Sequence, residues 1–325
     1  MSRLPKVLVC TSFPDRMNSN PGIRHALARG FVELLGADRV MESDYGSVLD
    51  RAGVFAPDLI LSVGSCLPED CDYLPWRRYC DRHDARFIFW LTDDPYEYDI
   101  DERVLGLTDL VFTNDANSLL YHDRTEMRHL PLAASPELHY RKIGGDLRAD
   151  LFFCGVAFEN RKQFVADFAP YAQGYAVEIL GDWWPKEIRL ARNQRLSVTD
   201  ICDRYNDSLL TLNLGRTLDL VNNLYGIAPS TPGPRTFEAA LAGAAQCYHV
   251  DSLEITDYFT PGEEILLFDS PADLARLLQQ MREDRAARDR IAQAAQRRGL
   301  AEHTYARRAA TILEAAGYAV ATDRR

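Results

Sequence analysis

The sequence predicts an α/β protein of two doubly wound, Rossmann-like domains facing across a ligand cleft. Three observations carry this. Short apolar runs alternate with stretches of helical length along most of the 325 residues, as in a parallel sheet covered on both faces. The alternation breaks near residues 133–150 and then restarts, so two such sheets are expected. Several runs end in glycine or a turn, and right-handed crossovers place ligands beyond those C-terminal strand ends.

Residues 6–12 form the first apolar run. It stops at Pro14-Asp15 and reads as a strand, not as a signal peptide. In residues 22–35, Ile23, Leu27, Phe31, Leu34 and Leu35 fall near one helical face. Runs at 58–64, 86–91, 110–113 and 126–130 supply further strands. Turn signals at Ala133-Ala134-Ser135-Pro136 and Ile143-Gly144-Gly145-Asp146 mark a linker. The runs at 150–155 and 176–181 both end in Gly, and runs at 209–214, 244–248 and 265–268 follow. Ser270-Pro271-Ala272-Asp273 supplies a cap and a first-turn proline. Another helical stretch starts at Arg285, and a last one runs 301–316 and stops at Gly317. The expected domains are 1–140 and 141–300, followed by a C-terminal helix and tail at 301–325.

Composition narrows the function. A hydrophobic fraction of 46% with 16 prolines and 19 glycines is that of a globular chain. No apolar run approaches the roughly 18–20 residues needed to span a bilayer, and a cytoplasmic protein is expected. The net charge of −11 repels polyanions, so no nucleic-acid partner is expected. The seven scattered cysteines suggest neither a disulfide framework nor a zinc site. The histidines show no metal spacing, and His129, near the linker, is the one most worth placing. No G-x-G-x-x-G, no P-loop and no H-E-x-x-H occurs, which weakens the usual dehydrogenase, NTPase and metalloprotease readings.

The most informative stretch runs from Ser230 to Gly243. Thr231-Pro232-Gly233-Pro234 leads rigidly into a helix through Arg235 and Thr236. Proline suits a first helical turn, and amides converging there favour an anion. Glu238, one turn in, can accept both hydrogens of a vicinal diol such as a ribose; a capped helix with an exposed Glu is the competing reading. Gly155 ends a strand and is soon followed by Arg161-Lys162, either a diphosphate clamp or a surface pair. Gly181, before Asp182-Trp183-Trp184, admits close approach of a ligand, and either Trp faces a base or sugar or packs in the core. Thr92-Asp93-Asp94-Pro95 follows an apolar strand. Its carboxylates either bind hydroxyls and take a proton from an acceptor or cap a turn.

In their order and spacing, five segments resemble the GT-B glycosyltransferases and, within them, the spore-maturation (CgeB-like) family. They are Phe89-Trp90-Leu91-Thr92-Asp93-Asp94-Pro95, Val111-Phe112-Thr113-Asn114, Phe152-Phe153-Cys154-Gly155 followed by Arg161, Arg235-Thr236-Phe237-Glu238-Ala239-Ala240-Leu241-Ala242-Gly243, and the run 261–268. The resemblance implies a metal-independent enzyme that moves a sugar from a UDP-, dTDP- or GDP-linked donor to an acceptor. A nucleotide-sugar epimerase or phosphorylase of the same fold, or an inactive nucleotide-sugar-binding module, is the alternative. By the same resemblance residues 301–325 pack back on the first domain, and Arg161 and Lys162 steady the leaving diphosphate. Together with the residues read above, the expected donor site takes in Gly155, Arg161, Lys162, Gly181, Ser230, Gly233, Arg235, Thr236 and Glu238, while Asp93, Asp94 and Arg161 are the candidate catalytic residues. Glu238 matches the later glutamate of the family's E-x7-E motif, whose earlier glutamate is replaced here by Ser230.

Overall fold

The computed structural model describes residues 3–17, 20–122, 126–218, 220–250 and 252–319. The chain divides into two units: Met1–Leu132 with Asp219–Thr231 and Tyr305–Arg325, and Ala133–Leu218 with Pro232–Thr304.

The first unit is built on β1 (Val7–Thr11), β2 (Val40–Ser43), β3 (Leu59–Gly64), β4 (Arg86–Leu91), β5 (Leu110–Thr113) and β6 (Met127–His129). They form one parallel sheet in the order β2-β1-β3-β4-β5-β6. β1 and β3 are buried along their whole length, which is why they read as continuous apolar runs and not as alternating ones. β2 was not apparent in the sequence: it is a short, half-buried edge strand carrying Glu42 and Ser43. Leu8, Ile60, Trp76, Phe87 and Phe89 are among the side chains of the core on one side of the sheet.

The helix Pro21–Leu35 packs against the helix Tyr305–Ala315. Gly30 makes this possible, since a Cβ there would come within 2.7 Å of the Tyr305 carbonyl. Arg308 then donates to the carbonyls of Pro131 (2.7 Å) and Leu132 (3.1 Å). The predicted helix 301–316 is really two pieces. The helix Arg285–Glu302 stops at His303, whose ring sits 5.0 Å from Phe237 and 5.3 Å from Phe259, and only the piece after it belongs to the first unit.

The second unit contains β7 (Ala149–Cys154), β8 (Val177–Gly181), β9 (Ala191–Asn193), β10 (Ser208–Asn213), β11 (Gln246–His249) and β12 (Leu266–Phe268). These strands are also parallel, in the order β12-β11-β10-β7-β8-β9. β9, another edge strand absent from the sequence reading, is three partly exposed residues. The strand order reverses between β7 and β10 here, and between β1 and β3 in the first unit. Doubly wound sheets open a crevice at such points.

Candidate functional site

In the second unit the crevice between β7 and β10 is bridged by arginine. Arg161, buried on the helix Glu159–Phe168, donates to the carbonyls of Gly215 (2.9 Å) and Leu214 (3.0 Å) beyond β10, and of Val156 (3.0 Å) beyond β7. Arg235 donates to the Cys154 carbonyl at 2.6 Å and lies over the Phe153 ring, 4.7 Å from its centroid. Gly155 sits between the two guanidinium groups. A Cβ at that position would be 2.8 Å from Arg235 and 3.1 Å from Arg161. Backbone carbonyls hold both guanidinium groups in place, so two arginines are fixed at the end of β7.

Gly181 makes the same place narrow. Its φ is 139°, and an added Cβ would fall inside the Gly155 peptide. The two tryptophans that follow divide their roles. Trp184 is buried and donates its indole N–H to the Gly155 carbonyl at 3.1 Å, while Asn193 brackets its backbone with two 2.8 Å hydrogen bonds. Trp183 is 75% exposed and has φ 65°, a conformation that bulky residues rarely hold without a reason.

The helix Pro234–Leu241 starts beside these groups, with Gly233 at its cap and no side-chain capping bond. The Thr236 amide closes on the Gly233 carbonyl at 3.1 Å, and its own carbonyl accepts from Gln246 at 3.0 Å, which in turn binds Asn213 at 2.6 Å. Buried Thr236 therefore shapes the helix start, with its amide committed to Gly233. Glu238 lies one turn after Arg235. Desolvation pushes its carboxyl up to about 7 against the opposing pull of Arg235, although 29% of the side chain remains exposed. Its neighbour is His139 at 3.8 Å. His139 Nδ1 accepts from the Ser135 amide at 3.0 Å, which leaves any ring proton on Nε2, facing Glu238. Burial pushes this histidine down to about 4, so at neutral pH it is a neutral ring beside Glu238 and not its counter-ion. No motif or spacing singles out His139; only the fold brings Ser135-Pro136-Glu137-Leu138-His139 beside the helix.

Two of the expected donor contacts take a different position. Lys162 pairs with Glu159 one turn back on its own helix. Ser230 belongs to the first unit, where its amide donates to Asp115 at 2.7 Å and its hydroxyl accepts from the Asn117 amide at 3.2 Å. His129 is nearby, its Nε2 3.0 Å from the Thr231 hydroxyl.

At the first unit's crevice, β1, β3 and β4 end together. Ser12 donates to the Ser65 carbonyl at 2.5 Å. The Asn20 amide reaches the Thr92 hydroxyl at 3.2 Å, and Thr92 reaches Asp93 at the same distance. Asp93 is partly exposed, but Asp94 is buried. Asp94 accepts from Thr113 at 2.5 Å, and its backbone is held on both sides by Asn114. Burial, then the charge of Asp101, raises its carboxyl well above the ordinary range. Asp94 is thus part of the interior, and of the two adjacent carboxylates only Asp93 reaches solvent. Among the described residues no group of three or more His, Cys, Asp or Glu is placed to hold a metal ion.

Residues 161–314 match the family described as glycosyl transferase-like. The chain is 24% identical to the spore protein CgeB of Bacillus subtilis (strain 168) over 214 residues, which is 61% of this chain and 65% of that protein. Similar solved structures include HepE of Anabaena in complex with UDP and glucose, at a TM-score of 0.62 and 11% identity over 96% of this chain and 99% of that one. The sucrose-phosphate synthase of Thermosynechococcus elongatus also gives a TM-score of 0.62 at 11% identity, over 95% of this chain and 98% of that one. The fold is GT-B. T4 phage BGT, in complex with UDP and Mn2+, is a further GT-B likeness, at a TM-score of 0.59 and 11% identity over 95% of this chain and 99% of that one. Within the GT-B frame, Gly155, Arg161, Gly181, Gly233, Arg235, Thr236 and Glu238 all lie in the second unit, and the glycosyl transferase-like match begins at Arg161.

Proposed function

We propose that this protein is a glycosyltransferase that uses a nucleoside-diphosphate sugar, with the donor held in its second unit. The observation that carries the reading is the pair of guanidinium groups flanking Gly155 at the β7/β10 crevice, with Glu238 one helical turn beyond Arg235. The glycosyl transferase-like match and the UDP complexes of HepE and T4 phage BGT support it. Arg235 and Arg161 meet the diphosphate, Glu238 accepts hydrogens from the ribose diol, and exposed Trp183 offers its face to the base. Gly181 lets the ends of β7 and β8 close together, Gly155 leaves room for the two guanidinium groups against the backbone, and Lys162 contributes longer-range positive charge.

In transfer, the bond from the anomeric carbon to the diphosphate oxygen breaks while a bond to the acceptor oxygen forms. Negative charge grows on the leaving oxygen, and cations already fixed by the protein stabilise it more in the transition state than before. Those cations supply the charge that a metal gives elsewhere, so transfer proceeds after EDTA treatment. The acceptor oxygen gives up its proton as the new bond forms, and Asp93, partly exposed after β4, is the base proposed to take it. The protein's thiols are all free, which supports a reducing, cytoplasmic setting, and no described helix is long and apolar enough to cross a membrane.

Titration calorimetry with UDP, dTDP and GDP tests the donor site, followed by mass spectrometry of acceptor mixtures incubated with the matching sugar nucleotides. One nucleotide is expected to bind preferentially, and its sugar to appear on an acceptor. Binding of none of the three would overturn the reading; binding without transfer to any acceptor would leave only a nucleotide-binding protein.

A further inference from the structure

The segment that follows Leu218 crosses into the first unit and is fastened there along its length. Val221 exchanges backbone hydrogen bonds with the loop after β4, its amide to Tyr96 (2.9 Å) and its carbonyl from Asp99 (3.1 Å). The Asp99 carboxylate accepts from the amides of Asn223 (2.7 Å) and Leu224 (3.2 Å). Asn222 closes a ring with Ile227 through bonds of 2.8 and 3.0 Å, and Asp115 accepts from Ser230 and Thr231. A loop held at this many points keeps its shape before any ligand arrives.

What the loop displays is aromatic. Tyr225 is 53% exposed and Tyr121 45% exposed, and their rings lie 5.0 Å apart at an interplanar angle of 33°. Buried Tyr98 supports both, 5.8 Å from Tyr225 and 6.3 Å from Tyr121, and its hydroxyl fixes the Tyr121 carbonyl at 2.8 Å. Leu120 and Leu224, also exposed, are next to the two rings in sequence.

From this arrangement we infer that Tyr121 and Tyr225 form a stacking platform for a neutral glycan, the acceptor or part of it. A pyranose presents an apolar C–H face of about one ring's area and a rim of hydroxyls, which suits a tyrosine with its flat face and phenolic edge. Two exposed rings and two leucines are far too few for a stable protein interface, which needs roughly 20–30 residues a side. The protein's charge of −11 disfavours a polyanion. The platform is also continuous with the candidate acceptor carboxylate: the Tyr96 amide donates to the Asp93 carbonyl at 3.0 Å, and the Tyr96 carbonyl accepts from Val221. Naming the glycan as acceptor rests on the glycosyltransferase reading, but the platform itself does not.

The test is affinity electrophoresis and NMR titration of the intact protein with neutral oligosaccharides: maltohexaose, cellohexaose, chitohexaose and a mixed-linkage β-glucan. At least one is expected to bind, with the double variant Tyr121→Ala, Tyr225→Ala losing about tenfold or more of that affinity while UDP affinity stays unchanged. The Tyr121→Phe, Tyr225→Phe variant is expected to retain most of it, because the ring face and not the hydroxyl carries the contact. Failure of every oligosaccharide to bind overturns the proposal, as does unchanged binding in the double alanine variant, or binding of a single-stranded oligonucleotide at this surface that weakens with salt. If glycan binding depends on the tyrosines but no nucleotide binds, the platform stands and the glycosyltransferase reading fails.

Discussion

Arg235 and Glu238 are one turn apart on a helix, and the chemistry expected of them separates in two measurements. Replacing Arg235 by Gln removes a charge-assisted contact worth about 1.5–3 kcal/mol, so the dissociation constant of whichever sugar nucleotide binds should rise about 10- to 100-fold in calorimetry. Glu238 adds a pH dependence, because its carboxyl is pushed up to about 7 and accepts two hydrogens well only when ionised. Affinity for that sugar nucleotide, whose diphosphate does not titrate near neutrality, should rise between pH 6 and 8 in the parent and stay flat in Glu238→Gln. Stability runs the other way. The folded protein keeps the proton that the unfolded chain loses above its ordinary value of 4.5, so the contribution of Glu238 declines as pH rises from 4.5 to about 7 and is level beyond. Urea midpoints of parent and Gln variant should therefore move apart, to the variant's advantage, across that window. The place of these two residues at a helix start was legible in the sequence, because proline, glycine and helical spacing announce one. Asp93 and Asp94 were not separable: adjacent loop carboxylates carry no periodicity, and only the Thr113 and Asn114 contacts show which one is interior. Arg161 read as a cation, but its carbonyl partners near residue 215 are brought to it only by the sheet.

At the scale of elements, the ends of β7 and β8 must nearly touch for the positive site to exist. Gly181→Ala places a methyl group inside the Gly155 peptide, at a φ that L residues avoid. A loss of about 3 kcal/mol or more in denaturant unfolding is expected. Gly22→Ala is the matched control. It lies in the first turn of the helix Pro21–Leu35, where an added Cβ meets nothing, and should raise stability by about 0.5–1 kcal/mol. The central strands could be read from sequence because burial on both faces demands unbroken apolar runs. β2 and β9 could not: an edge strand three or four residues long keeps polar side chains, and pairing with a neighbour is all that makes it a strand.

At the scale of the molecule, the chain passes between the units after Leu132, Leu218, Thr231 and Thr304. Nothing in local pattern marks a segment as belonging to the other sheet: the return of the C-terminal tail is expected from the resemblance alone, and that of the segment after Leu218 is not expected. A fragment of residues 1–132 would lack the helix that covers Gly30 and the edge-on contact of Tyr305 with Trp90, 6.4 Å between centroids. It should bind a hydrophobic dye and show no cooperative thermal transition, whereas the intact chain melts cooperatively. This interleaving also sets an order of events during synthesis. The ribosome delivers β1 to β6 first, yet Tyr305–Ala315 emerges only after every strand of the second sheet has been made. The half with the free early start is the half that must wait, its apolar helix face open to chaperones or to neighbouring nascent chains until the last turns arrive.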